Sequence, residues 1–188
     1  DAKSGARTSN AAPTGFGAGG GINNNGGAVT VLNCTLAAND ATGIQAGGGN
    51  LANESGTLTL INSIVANSPS GKDASGPITD GGHNLASDFT CGFTALSSAN
   101  GIDPKLGQLT DYGGPTRTIA FLPDSPALDA GDNGACPPTD QRGVVRPIGK
   151  ACDIGAFEFA AAPILVLALT DQSVMVGDSA TWSVQVAS

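Results

Sequence analysis

Charge is the scarcest commodity in this chain. Of 188 residues only 13% are charged, about half the usual ~25%. Between Arg7 and Lys72 the only charged residues are Asp40 and Glu54. A helical protein with a solvated charged face is excluded by that stretch. Lysine and arginine together number 8 against 16 acidic residues, with no basic cluster, so nucleic acid and anionic membrane are not expected partners. Aromatics are 4% of the chain, and a stacking platform for bases or sugars is not evident. His83 is the only histidine. The longest apolar run, Ala160–Leu169, is interrupted by Pro163 and too short to span a bilayer, so no membrane insertion is expected in this segment. The chain opens at Asp1-Ala2-Lys3 without an apolar leader, and the expectation is that an exported form has shed one.

What the chain does have is glycine, asparagine and repetition. Glycine makes up 28 residues, about twice its roughly 7% share in ordinary domains. Thr14-Gly15-Phe16-Gly17-Ala18-Gly19-Gly20-Gly21 returns as Thr42-Gly43-Ile44-Gln45-Ala46-Gly47-Gly48-Gly49, and Val29-Thr30-Val31-Leu32-Asn33 as Leu58-Thr59-Leu60-Ile61-Asn62. Asn10, Asn39 and Asn67 share one phase. β-Branched residues in alternation read as short strands, and the Gly and Asn clusters as corners. A fixed period of this kind predicts an all-β fold, a right-handed parallel β-helix of about 28 residues per coil with three short strands in each. Stacked coils would place Asn10, Asn39 and Asn67 in a side-chain ladder at one corner.

Three regions follow. Residues 1–110 read as coils, the last of them irregular. Residues 111–159 are proline-rich, lack the period and read as a cap over the open end. Within that cap Cys136 and Cys152 bracket 15 residues rich in Pro and Gly; a disulfide there would contribute about 3 kcal/mol and would imply an oxidising compartment. Residues 160–188 form a β tail. Its alternating stretch, with Val174, Val176, Trp182, Val184 and Val186, suits an assembly strand that pairs with a neighbour's edge.

Several motifs in order carry a family likeness: Asp80-Gly81-Gly82-His83-Asn84-Leu85 with Cys91-Gly92-Phe93, Asp103-Pro104-Lys105-Leu106-Gly107, Asp111-Tyr112-Gly113-Gly114-Pro115-Thr116, Ser125-Pro126-Ala127-Leu128-Asp129-Ala130-Gly131, Thr139-Asp140-Gln141-Arg142-Gly143 and Cys152-Asp153-Ile154-Gly155-Ala156-Phe157-Glu158. Together, over about residues 19–159, they resemble the choice-of-anchor Q domain, a family of large bacterial surface or secreted proteins. The tail from about Ile164 looks like the start of an immunoglobulin-like domain. The resemblance implies a β-helix, export, a structural or adhesive role and no catalytic residue. In the family pattern a cysteine precedes the Gly-Pro-Ile segment and would partner Cys91. Here Ala74 stands near that place, so Cys91 either stays free or reaches Cys34.

Many parallel β-helices are polysaccharide lyases or glycosidases. A glycosidase needs two carboxyl groups flanking one bond, and a lyase needs a carboxylate cluster with a base. The coils offer only Asp40 and Glu54, and His83 reads as a structural hydrogen-bonding residue. Asp129, Asp132, Asp140, Arg142, Arg146, Asp153 and Glu158 read as a carboxylate–guanidinium network knitting loops together. A calcium site at Asp129, Asp132 and Asn133 is the competing reading of part of that set. Gly17-Ala18-Gly19-Gly20-Gly21 leads into a strand rather than a helix, which removes a dinucleotide loop. No metal or other cofactor is expected. The expected function is that of a non-enzymatic extracellular structural protein of a bacterial cell surface, in its sharper form a head-to-tail filament subunit. The alternative is a carbohydrate-binding or adhesive module with surface glycans as partners, and last an enzyme acting on polysaccharide.

Overall fold

A computed structural model describes residues 19–41, 47–69 and 72–160. All its regular elements are strands, and the described residues contain no helix. Two long strands, β1 (Ile22–Leu32) and β3 (Leu51–Ile61), lie parallel, and each is followed after a two-residue corner by a short strand, β2 (Thr35–Ala37) and β4 (Ile64–Ala66). The corners are made by Asn33 and Asn62, at φ of 45° and 49°. Asparagine enters this left-handed region more readily than other non-glycine residues because its short side chain bonds locally. Four shorter elements complete the set with β9: β5 (Ala74–Ser75), β6 (Thr79–Asp80), β7 (Leu85–Ala86) and β8 (Leu106–Thr110), then β9 (Thr118–Phe121).

The strands form three small sheets: β1-β3-β5 with β6 also on β3, β2-β4-β7, and an antiparallel β8–β9 pair. This corrects the expectation of a right-handed parallel β-helix: parallel and antiparallel pieces coexist, and none forms a solenoid. The physical reason lies in the step. Ile22 pairs with Leu51 and Thr35 with Ile64, both 29 residues on. The next step is 23 residues at Leu51–Ala74, 20 at Thr59–Thr79 and 21 at Ile64–Leu85, and the strands shrink to two residues. Shortened connections cannot carry a full-length strand, so among the described residues the 29-residue register is made once and then lost. The described stretches 19–41 and 47–69 each hold two strands rather than three.

Where the step is kept, packing is close. Val31, Leu36, Leu51, Leu58, Leu60 and Val65 bury one core with Cys91 and Phe93. The β1–β3 ladder breaks register between Asn24 and Ala28. There Gly56, at φ +83°, passes so close to β1 that a Cβ would sit 2.2 Å from the Gly27 carbonyl oxygen. A second core gathers Ile64, Ala66, Leu85, Phe121, Ala127, Ile154 and Phe157. The loop-rich segment 127–158 packs along the Asn33/Asn62 corner: Gly155 N donates to Asn62 O, and Ala156 N to Thr35 Oγ1.

Candidate functional site

The polar features nearest to a site are the asparagine corners and the charged network beside them. Within the long strands and at the corners that follow them, amides 29 residues apart meet. Asn24 Nδ2 donates to Asn53 Oδ1 at 2.9 Å, and Asn62 Nδ2 to Asn33 Oδ1 at 3.2 Å. Asn62 also exchanges bonds with the Asp132 backbone, accepting from its N–H at 2.8 Å and donating to its carbonyl at 3.1 Å. Asn33 Nδ2 donates to Asp153 O. These side chains are buried, and each amide also donates to a backbone carbonyl of another segment: Asn24 to Thr57, Asn53 to Pro77, Asn33 to Asp153 and Asn62 to Asp132.

The residues expected to form the ladder are placed differently. Asn39 donates from both its backbone N and Nδ2 to Asn50 Oδ1, at 3.1 Å each. Asn67, at φ +58°, donates its backbone N–H to Ser87 Oγ. Asn10 lies outside the described residues, as do Val174, Val176, Trp182, Val184 and Val186. The ladder pairs Asn24/Asn53 and Asn33/Asn62 were readable as 29-residue spacings. Only geometry distinguishes them from the chain's other asparagines.

The disulfide joins Cys136 to Cys152, with Cα atoms 6.7 Å apart. Cys34 and Cys91 are both free thiols. Burial raises the pKa of each, which keeps them protonated and unreactive.

Beside the disulfide stands the charged network. Arg146 NH1 donates to Glu158 Oε2 at 3.0 Å and to Asp153 O, and its NH2 to Gly155 O. Glu158 also accepts from the backbone of Ile148 and Asp153. Arg142 donates twice to Asp140 Oδ2, through Nε at 2.9 Å and NH2 at 2.7 Å, and lies 3.5 Å over the Phe157 ring. Burial acts to raise the Asp140 pKa, but donors from Glu158 N, Arg142 and Val144 N outweigh it and hold the carboxyl below its ordinary range. Asp153 goes the other way. Burial, with the neighbouring Glu158 and Asp129 charges, raises it to about 6 against the donors of Phe159 and Asp129. Arg146 is pulled down by burial, while Glu158, Asp140 and Asp153 act to keep it charged. Its Nε and Thr118 Oγ1 are the buried side-chain atoms without a partner among the described residues.

The remaining sequence candidates are engaged in the framework. His83, at φ +55°, places Nδ1 2.7 Å from Ala130 O, which fixes that nitrogen as the protonated one. Of the calcium candidates, Asp132 Oδ1 accepts from Gly134 N and Asn133 Oδ1 from Cys152 N, and Asp129 Oδ1 receives Ala151 N at 3.4 Å. Among the described residues no group of three or more His, Cys, Asp or Glu is arranged to hold a metal. Glu54 Oε1 accepts from Asn23 Nδ2. One hub escaped the sequence reading. Asp80 receives five donors: Gly82 N, Asn84 Nδ2 and Ser98 Oγ on one oxygen, Thr94 N and Ala95 N on the other. Burial opposes ionisation there, yet these donors hold its pKa low.

No family model, curated protein or solved structure matches this chain. No helix among the described residues is long and apolar enough to cross a membrane.

Proposed function

We propose that this chain is an extracellular structural protein of a bacterial cell surface, and that it assembles head to tail. One observation carries the reading. The outer edge of β1, eleven residues long, pairs with no strand among the described residues. Ile22 and Val29 on that strand are only partly covered, whereas their partners Leu51 and Leu58 on β3 are 0% exposed. An open edge over half-covered apolar side chains is a template for a further strand. A contact between this edge and a different surface of the next copy propagates unless it closes into a ring. The disulfide supports the location, since such bonds persist in oxidising compartments.

A carbohydrate-binding module is the second reading. The ring of Phe89, 78% exposed over Gly101, is the observation in its favour, and binding on a glycan array that Phe89→Ala abolishes would select it. The first reading is tested by negative-stain microscopy of the wild-type chain and Val29→Lys. Filaments are expected in the wild type and none in the variant, whose circular dichroism stays unchanged. Fields of single particles in both would contradict the assembly.

A further inference from the structure

The chain contains three Asn-Gly dipeptides, at Asn25-Gly26, Asn100-Gly101 and Asn133-Gly134. This pair is the one most prone to spontaneous rearrangement, because glycine lacks the Cβ that would obstruct its own nitrogen. The backbone nitrogen, after losing its proton, attacks the asparagine Cγ. A C–N bond forms, the side-chain nitrogen leaves as ammonia, and a five-membered imide results. Water then opens the imide at either carbonyl, giving aspartate or isoaspartate. The net change is amide plus water to carboxylic acid plus ammonia, with no oxidant or reductant involved.

The fold treats the three sites very differently. Asn100 is pinned at both ends of its amide: Oδ1 accepts from Phe93 N at 3.0 Å and Nδ2 donates to Phe93 O at 2.9 Å. Asn133 is also held twice, accepting from Cys152 N at 2.8 Å and donating to Lys150 O at 3.4 Å, in the loop closed by the disulfide. In either case the amide must break its bonds before Cγ can turn toward the following nitrogen. Asn25 has no such restraint. It is exposed, and its Nδ2 has no hydrogen-bond partner among the described residues. Its one side-chain bond, Ser55 Oγ to Oδ1 at 3.2 Å, polarises the carbonyl toward attack. Asn25 also sits where the β1–β3 register shifts on both sides, and Gly26 stands at φ +106°, where an added Cβ would meet only Ser55 Oγ, at 3.7 Å. An interrupted ladder leaves this backbone freer to bend than the paired runs around it.

We propose that Asn25 is a site of spontaneous deamidation in the folded protein. The product places a new carboxylate on the β1 face, beside Ser55, and makes the chain one unit more negative. Isoaspartate also adds a backbone atom at the one point where β1 and β3 are already out of step.

Peptide-mapping mass spectrometry tests this on the full chain, incubated at mildly alkaline pH in two states, native and unfolded in urea with a thiol reductant. In the native chain Asn25 should convert about tenfold or more faster than Asn100 and Asn133, each of which must first release two hydrogen bonds. On unfolding the three rates should converge. A native rate at Asn25 no greater than at Asn100 overturns the proposal, and so does a tenfold preference that survives unfolding, because it would then belong to local sequence rather than to the fold.

Discussion

Arg146 and Glu158 show how a loop region with little apolar interior is held. Both side chains are almost wholly buried, and each oxygen of Glu158 accepts a backbone or guanidinium donor. Removing one member of a buried pair leaves the other charge uncompensated, at about 3 kcal/mol or more. Arg146→Met should therefore lower stability by about that amount in urea denaturation, and adding Glu158→Gln should recover part of the loss. Equal stability of the single and double variants would show that the pair is not coupled. Asp153 contributes a pH signature. Its folded pKa, about 6, lies above the unfolded value, so the folded state binds the extra proton. The stabilisation is present in full below the unfolded pKa and is lost as pH rises through about 6. Asp80 and Asp140, held low, act oppositely and lose their contribution as pH falls below the ordinary carboxylate range. Stability measured against pH should thus decline between the ordinary carboxylate value and about 6, and Asp153→Asn should flatten that decline.

At the level of strands, much was readable and some was not. Alternation in Val29-Thr30-Val31-Leu32 and Leu58-Thr59-Leu60-Ile61 marks the C-terminal halves of β1 and β3. The N-terminal halves were hidden. Asn23-Asn24-Asn25-Gly26-Gly27 reads as a turn, yet it runs as an irregular strand because Asn24 closes the irregularity, donating to Gly27 O, Thr57 O and Asn53 Oδ1. The lost period was equally invisible, since β5, β6 and β7 are too short to show alternation of their own. The polar set of residues 129–158 was legible as a network. That Arg146 is its buried centre was not, because depth depends on Ile154 and Phe157 packing against Ile64, Leu85 and Phe121 from other parts of the chain. The close passage at Gly56 yields a test at this scale. Gly56→Ala adds a methyl group where the Gly27 carbonyl stands and forces a side chain into a left-handed conformation, which should cost about 1–3 kcal/mol. A thermal midpoint equal to wild type would place the two strands farther apart than described.

Among the described residues the sheets end differently on their two sides. On the β5, β6 and β7 side the sheets give way to loops tied down by Asp80, by Asp73 and by the bonds of Asp88 to Thr90 and Asp73 N. On the β1 side the described residues stop at a long strand with partly covered apolar side chains. That imbalance, rather than a cleft or a cluster of reactive groups, is where the proposed role resides. Low charge along β1 favours such a contact, since the strand carries no ionisable side chain to repel a second copy. Sedimentation velocity of the wild-type chain over a wide concentration range measures the consequence most directly. The account predicts a sedimentation coefficient that climbs with concentration without reaching a plateau, as open head-to-tail growth requires, and that Val29→Lys abolishes the climb. A single sharp boundary at the monomer value across the whole range would contradict it.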